Sequence, residues 1–414
     1  MNTQCPHCQQ TTELSFSFSW KHFACPKCHT LYGKNEDGSI RQTRINPANR
    51  LKLNMYISQQ GVLDGERWEV VNATIKTPTS EPFPWQEFTL RNSKGDECFL
   101  SEYNGHWTLA KEVTDPEAQH DIRADYQLLL PNGTYRLFHS SAYKTEYMAG
   151  FFEDFLPSTG LAKDFVAPPK AILLEKDDSD SVTYTFEARY VSQEEMKEAF
   201  PDLDLPPKQG VGMLQPYPRN LINYTLILGI IGMFMIVYQL VFTIVYPRTE
   251  VSSGYVTLPD SVAEVSHVSP TFEYTGATGP IQINLSAPVN NSWVAADFVL
   301  VNEETKAERY GTVEIAYYHG VEGGESWTEG SSHPSIKICG VTPGKYHLAM
   351  QIAKQPGDSM ITSLKYSVIT HPSTIWNLLT GLIIFVVVFI GLMIDRSGFE
   401  TNRWMLSDFP PETE

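Results

Sequence analysis

The chain has 414 residues and a formal net charge of −17. That length predicts two or three folded units. The acidic balance excludes a general nucleic-acid binder, because phosphate contacts need a basic surface, whereas an acidic surface aids solubility and can attract cationic partners such as polyamines or basic proteins.

The first residues, Met1-Asn2-Thr3-Gln4-Cys5, lack the basic start and apolar core of a signal peptide. Cys5-Pro6-His7-Cys8 and Cys25-Pro26-Lys27-Cys28 are two Cys-x-x-Cys turns separated by 16 residues. That spacing matches four-thiolate zinc sites, in which each turn places two sulfurs about 2.3 Å from one metal. A dithiol oxidoreductase needs only one such pair, and a closed four-sulfur site leaves no open position for catalysis. Cys5, Cys8, Cys25 and Cys28 are therefore expected to hold structural zinc in a ribbon over residues 1–33. Between the turns, Leu14, Phe16, Phe18 and Trp20 alternate with serines, which predicts a half-buried strand. So short a unit depends on its metal to fold. His7 and His29 read as spare and exposed. Residues 34–60 read as a polar linker with a turn at Asn35-Glu36-Asp37-Gly38.

A β-rich domain is predicted over residues 61–200. Asn104-Gly105 is a strong hairpin signal, and a two-residue turn there pairs Tyr103 with His106 and Leu100 with Leu109. One face of that hairpin then carries Cys98, Leu100, Trp107 and Leu109, a core pattern. The other carries Phe99, Ser101, Tyr103, His106 and Thr108, a mixed face that could bind a ligand. Ser101 and His106 share this face while Glu102 points away, so the three make no catalytic triad. Residues 139–147 read as a sheet edge or loop.

Several motifs carry a resemblance. They are Leu63-Asp64-Gly65-Glu66-Arg67-Trp68-Glu69-Val70, Pro84-Trp85-Gln86-Glu87-Phe88, and Leu100-Ser101-Glu102 with Gly105-His106-Trp107. Ala149-Gly150-Phe151-Phe152, Asp164-Phe165-Val166-Ala167-Pro168-Pro169 and Glu187-Ala188-Arg189-Tyr190 follow. Over residues 61–200 the chain resembles the bacterial domain-of-unknown-function family 4178, departing from it at Cys98-Phe99 and in the Asp-Phe-Val form of the later motif. The resemblance implies no established activity. It implies neighbours among phage-shock-type membrane-remodelling proteins and polyamine-making transferases. Ser192 with Glu195 fits a helix-capping box. Residues 201–220, with five prolines, read as a stiff linker.

Two runs are long and apolar enough for membrane spans, residues 221–246 and 375–394. A bilayer core needs about 20 such residues. The first run holds no Asp, Glu, Lys, Arg or His. With no ionisable group there, an ion pathway has no carrier. Gln239 could bond another helix, in this chain or in a second copy, and Gly229 and Gly232 could permit close helix contact. The flanking Lys208, Arg219, Arg396 and Arg403 favour cytoplasmic N and C termini in a bacterial inner membrane. Cys339 would then lie across the membrane from Cys98, without a disulfide partner.

Residues 250–371 predict an extracytoplasmic β-sandwich of jelly-roll or immunoglobulin type, from short alternating strands such as Ile281-Gln282-Ile283-Asn284-Leu285. Residues 320–330 read as a loop in which Glu322, Glu325, Trp327 and Glu329 could bind calcium, sugar or protein. The tail 395–414 is expected at the cytoplasmic interface, its prolines opposing a terminal helix. The predicted whole is a mainly β multidomain membrane protein. Its expected role is a non-enzymatic scaffold or sensor in membrane-stress maintenance, with the bilayer, a phage-shock-type protein and a homo-oligomer as partners. The alternatives are a polyamine-linked or hydrolytic enzyme using the Tyr103/His106 face, and an extracytoplasmic receptor.

Overall fold

The structure is a computed structural model that describes residues 1–45, 52–80, 83–113, 126–153, 159–178 and 182–411. The chain forms two compact units, Met1–Asn220 with Gly391–Glu414, and Leu221–Ile390. It is mostly β, with two long apolar helices and a four-cysteine cluster.

The first unit opens with a small hairpin, β1 (Asn2–Gln4) and β2 (Thr11–Glu13), followed by β3 (His22–Ala24), β4 (Thr30–Lys34) and β5 (Ile40–Ile45). Then come β6 (Gln60–Leu63), β7 (Glu66–Pro78), β8 (Trp85–Arg91), β9 (Glu97–Tyr103) and β10 (His106–Glu112). The series continues with β11 (Gln127–Leu130), β12 (Gly133–Phe152), β13 (Thr159–Ala167), β14 (Lys170–Asp177) and β15 (Thr183–Val191). Eight of these strands close on themselves in the order β7-β8-β9-β10-β15-β14-β13-β12, with β12 returning to β7 and every pairing antiparallel. A closed barrel of this size leaves no open edge and encloses room for side chains or one small ligand.

Local chemistry explains the closure. Asn104 and Gly105 both take positive φ, 51° and 78°, and the hairpin register pairs Tyr103 with His106 as expected. β12 pairs with β13 through its first half and with β7 and β3 through its second. Gly150 makes the close approach possible: its φ is +90°, and a Cβ there would lie 2.3 Å from the Val71 carbonyl oxygen. The stretch 139–147 is thus the middle of a barrel strand, not an edge or loop.

The predicted core face is buried: Cys98, Leu100 and Trp107 are fully inaccessible. It packs outside the barrel wall, under α1 (Gln193–Ala199) and the N-terminal segment. Ser192 caps α1, accepting a hydrogen bond from the Glu195 amide at 3.1 Å. The mixed face points into the barrel.

Several sequence expectations are corrected here. The ribbon shares its core with the barrel, because β3 pairs with the end of β12 and Trp20 and Phe23 pack on Phe151. The ribbon's predicted alternating segment, Leu14 to Trp20, keeps its alternation of inner apolar side chains and exposed serines but is not strand, since β2 ends at Glu13. The stretch 34–60 is not simply a linker: β5 pairs with β4, and Met55 and Ile57 are buried, while 46–51 lies outside the described residues. Residues 201–220 are not a plain linker either, since 209–214 lines the barrel interior. The tail continues as helix to Trp404 and then packs on the barrel, with Trp404 against Phe138 and Phe409 against Tyr126.

The second unit contains α2 (Leu221–Val245) and the first part of α3 (Ile375–Trp404), both long and apolar enough to cross a membrane, with side chains largely exposed. Gly232 faces Leu382 and Phe385 of α3, whereas among the described residues no other segment comes within 4 Å of a Cβ built on Gly229. Gln239 accepts a hydrogen bond from Thr374 at 3.0 Å. Between the helices lies a β-sandwich. One sheet is β16 (Thr249–Thr257), β25 (Ser363–Thr370), β19 (Gly279–Ser286) and β23 (Ser335–Val341), in that order. The other is β17 (Glu264–Val268), β24 (Gly344–Lys354), β20 (Ser292–Asn302), β21 (Glu308–Glu322) and β22 (Glu325–Ser331), with β18 (Phe272–Tyr274) beside β24. Alternating residues such as Ile281, Ile283 and Leu285 fill the space between them.

Candidate functional site

The two Cys-x-x-Cys segments fold into matching knuckles. In each, the first cysteine's carbonyl accepts the amide four residues on, Gln9 at 2.9 Å and His29 at 3.0 Å. Both of those residues take φ of 61°. The four sulfurs lie within 4.8 Å of one another, with Cys5–Cys28 and Cys8–Cys25 each at 3.6 Å. A tetrahedron with bonds of about 2.3 Å has edges of about 3.8 Å, so the four could hold one metal ion. Burial raises the Cys5 thiol, but hydrogen bonds from the Cys8 amide, the Tyr32 hydroxyl and the His7 amide outweigh it and leave the group at about 6. Burial pushes Cys25 up to about 12. His29 is not spare: its Nδ1 lies 3.1 Å from the Tyr147 hydroxyl on β12, which ties the second knuckle to the barrel.

Inside the barrel is a cavity of about 550 Å³. Ser101, Tyr103 and His106, the face expected to bind, all line it. So do groups that the sequence did not assign to a site: Lys76, Glu87, Asp164 and Glu175. They follow from the period of two, since each strand sends every second residue inward. A second face bearing carboxylates and aromatics, rather than solvent-facing charges of both signs, was the available signal.

The interior is strongly acidic. Eight carboxylates border the cavity against one lysine and two histidines. The lysine is already engaged. Lys76 Nζ lies 2.6 Å from Glu175 and 3.0 Å from Glu87, and 4.8 Å from the Tyr143 ring centre. Burial would lower its pKa, but Glu175 and Glu87 more than reverse this and hold it charged. The Tyr143 hydroxyl donates to Glu175. Burial raises both carboxylates, and Lys76 reverses this at Glu175 but not at Glu87. The shorter contact agrees with Glu175 being the more firmly ionised partner. Arg91 neutralises Glu97 and Glu153, at 3.2 and 2.6 Å. Asp164 is different. Among the described residues, no hydrogen bond or ion pair reaches its carboxylate, and burial raises its pKa to about 6. The Thr74 hydroxyl also faces the cavity without a partner among the described residues, on a residue only 3% exposed.

One mouth is crossed by residues 209–214 and by the end of α3. Arg403, 1% exposed, donates to the carbonyls of Gly212, Met213 and Gln215 at 3.0, 2.7 and 2.6 Å. The Ser407 hydroxyl donates to the Phe138 carbonyl at 2.7 Å, and Asp408 meets His139 Nδ1 at 3.2 Å. His106 closes the same end. Its Nε2 lies 3.3 Å from the Gln209 carbonyl and its Nδ1 3.3 Å from the Tyr190 hydroxyl. Burial lowers its pKa. A neutral imidazole donating to the carbonyl and accepting from the tyrosine has no nitrogen left for a substrate. His106 therefore positions the closing segment.

The second unit's expected ligand loop is instead a hairpin. β21 and β22 pair through to Glu322 opposite Glu325, with Gly323 and Gly324 turning at φ of 61° and 89°. Glu322, Glu325, Trp327 and Glu329 stand exposed along one face of it. Trp327 lies opposite Gly320 and covers it: a Cβ on Gly320 would meet the indole at 2.9 Å.

The fold and its sites define a class: a β-barrel with an acidic interior and a four-cysteine cluster, on a chain with two helices able to span a membrane. No protein-family model and no curated protein matches the chain. Among solved structures it is similar to that of infectious bursal disease virus, Gx strain, at 9% identity and TM-score 0.18, covering 90% of this chain and 70% of that one. It is similar to carbohydrate-binding modules from the β-sandwich superfamily at 7% identity and TM-score 0.15, covering 72% and 96%. An exo-β-1,3-galactanase from Phanerochaete chrysosporium gives 8% identity and TM-score 0.15, covering 88% and 97%. TM-scores this low define neither a shared fold nor a shared function.

Proposed function

We propose that this chain is a membrane-anchored sensor whose barrel holds a small molecule. The observation that carries the reading is the cavity of about 550 Å³ inside a closed barrel, with one mouth covered by the continuation of α3. A barrel of eight strands has an interior suited to one small ligand. A ligand there would touch Leu406 and Asp408, and so bias the end of a helix whose other end is apolar over membrane length. Two bilayer spans, cytoplasmic N and C termini in a bacterial inner membrane, and an extracytoplasmic sandwich complete the arrangement. Zinc at Cys5, Cys8, Cys25 and Cys28 would be structural, fastening the knuckles to the barrel core.

The resemblance to family 4178 adds a phage-shock-type protein as the cytosolic partner that reads the sensor, and a homo-oligomer paired through its spans is its working state. The enzyme reading is weaker, because both nitrogens of His106 are engaged. Native mass spectrometry of the full chain, released from mild detergent, tests the proposal. One zinc and a dissociable adduct of small-molecule mass are expected. A bare chain that also fails to bind any member of a small-molecule screen saturably would overturn it.

A further inference from the structure

The barrel's lining also identifies the chemistry of its occupant. Resting on the reading of the barrel as a small-molecule site, we propose that the occupant is an organic cation: one or more ammonium groups on an apolar or aromatic body. Three independent features lead there. The first is charge. The lining lysine is shared by Glu87 and Glu175, while Asp164 has no ion pair or hydrogen bond among the described residues and, of its charged neighbours, His139 alone opposes the effect of burial. A carboxylate so enclosed is costly unless something positive meets it. The second is the Thr74 hydroxyl, deeply buried, aimed inward and unpartnered among the described residues, which can accept an N–H. The third is the wall. Trp85, Phe99, Tyr184 and Phe186 border the same cavity, and aromatic faces attract cations whose carbon parts they also bury. Phe99 and Phe186 pack edge to face at 5.2 Å.

A metal ion does not fit this site. Among the described residues, only the four cysteines converge as a metal-holding group, and the carboxylates of the barrel do not. The volume, too, is far larger than one coordination shell. An anion would face repulsion from the whole lining. The occupant's positive end is assigned to Asp164 and its body to the aromatic wall.

The test uses the full chain in nanodiscs and three probes of nearly one size: phenethylammonium, 2-phenylethanol and phenylacetate. Binding is read as saturable change in tryptophan emission, with Trp85→Phe as the control for its source. The ammonium is expected to bind at least tenfold more tightly than the alcohol, and the carboxylate not at all. Asp164→Asn should abolish that preference while zinc content and circular dichroism stay unchanged. Thr74→Val should weaken the ammonium severalfold, and serves if the Asp164 variant does not fold. Alcohol or carboxylate binding as well as the ammonium would overturn the cation assignment and leave the small-molecule reading standing. No saturable binding by any of the three, nor by 1,6-hexanediammonium, would overturn the cation assignment. A small-molecule adduct on the purified chain would then keep the sensor reading, and a bare chain would remove both.

Discussion

Single residues inside the barrel show how placement changes the meaning of a charge. Lys76 on a solvent-facing strand would contribute little. Here it is 3% exposed and holds two carboxylates. Replacing it as Lys76→Gln leaves Glu87 and Glu175 facing each other without a cation, a change that costs about 3–5 kcal/mol when a buried pair is broken. The sign of the pH dependence follows from Glu175, whose folded pKa lies below its ordinary value. Its contribution to stability is present above the unfolded pKa and lost as pH falls through the folded one. In Lys76→Gln both carboxylates titrate upward, so the deficit against wild type should be large near about pH 8 and shrink towards about pH 5. Thermal unfolding of both chains at the two pH values measures this. An equal deficit at both would show that Lys76 acts through packing alone. The Asn104-Gly105 turn was legible at this scale because a type I′ hairpin demands positive φ at both positions and few residue pairs tolerate it. Asp164 was not, since nothing in its neighbours says what lies across the barrel.

Among the elements, the end of α3 departs most from its sequence pattern. The apolar run predicts a helix to about Ile394, and prolines near the C-terminus argue against more. The helix instead runs to Trp404, because Arg403 finds three carbonyls of the 212–215 segment and Trp404 finds Phe138. These partners lie far away in sequence, 188 residues or more, beyond any local pattern. Arg403→Met should leave those carbonyls without a donor and cost about 2–4 kcal/mol locally. The expected outcome is faster proteolytic cleavage within residues 209–214 and weaker retention of any barrel ligand, with the melting of the sandwich unchanged. Cleavage at the wild-type rate would mean that residues 209–214 are held by other contacts. The same comparison applies to β22. Glycines and glutamates over 320–330 read as a loop, yet two consecutive positive-φ glycines make a tight turn and the flanking residues pair as strands.

For the molecule as a whole, the prediction concerns topology. Cys339 is exposed on β23, whereas Cys98 is wholly buried. Under the proposed topology, a membrane-impermeant maleimide added to intact cells should label Cys339, and Cys339→Ser should remove the signal. A tag at Met1 should stay inaccessible until the membrane is opened. Labelling of the tag but not of Cys339 would invert the arrangement, and recovery of the intact chain in the soluble fraction would remove it.

Taken by itself, the amino-acid order determined whatever depends on neighbours or on simple length. The two Cys-x-x-Cys turns, the hairpin register at Asn104-Gly105, the Ser192 cap and the two apolar helices are all of that kind. Each needs only a few adjacent residues or one uninterrupted run. The tertiary structure alone decided that β12 closes onto β7, that the cysteine knuckles share the barrel's core, and that Asp164 and Thr74 look into one enclosed space. Strand periodicity says which residues share a face, but not which face becomes an interior or which distant strands become neighbours. Those outcomes come from packing between segments far apart in the chain.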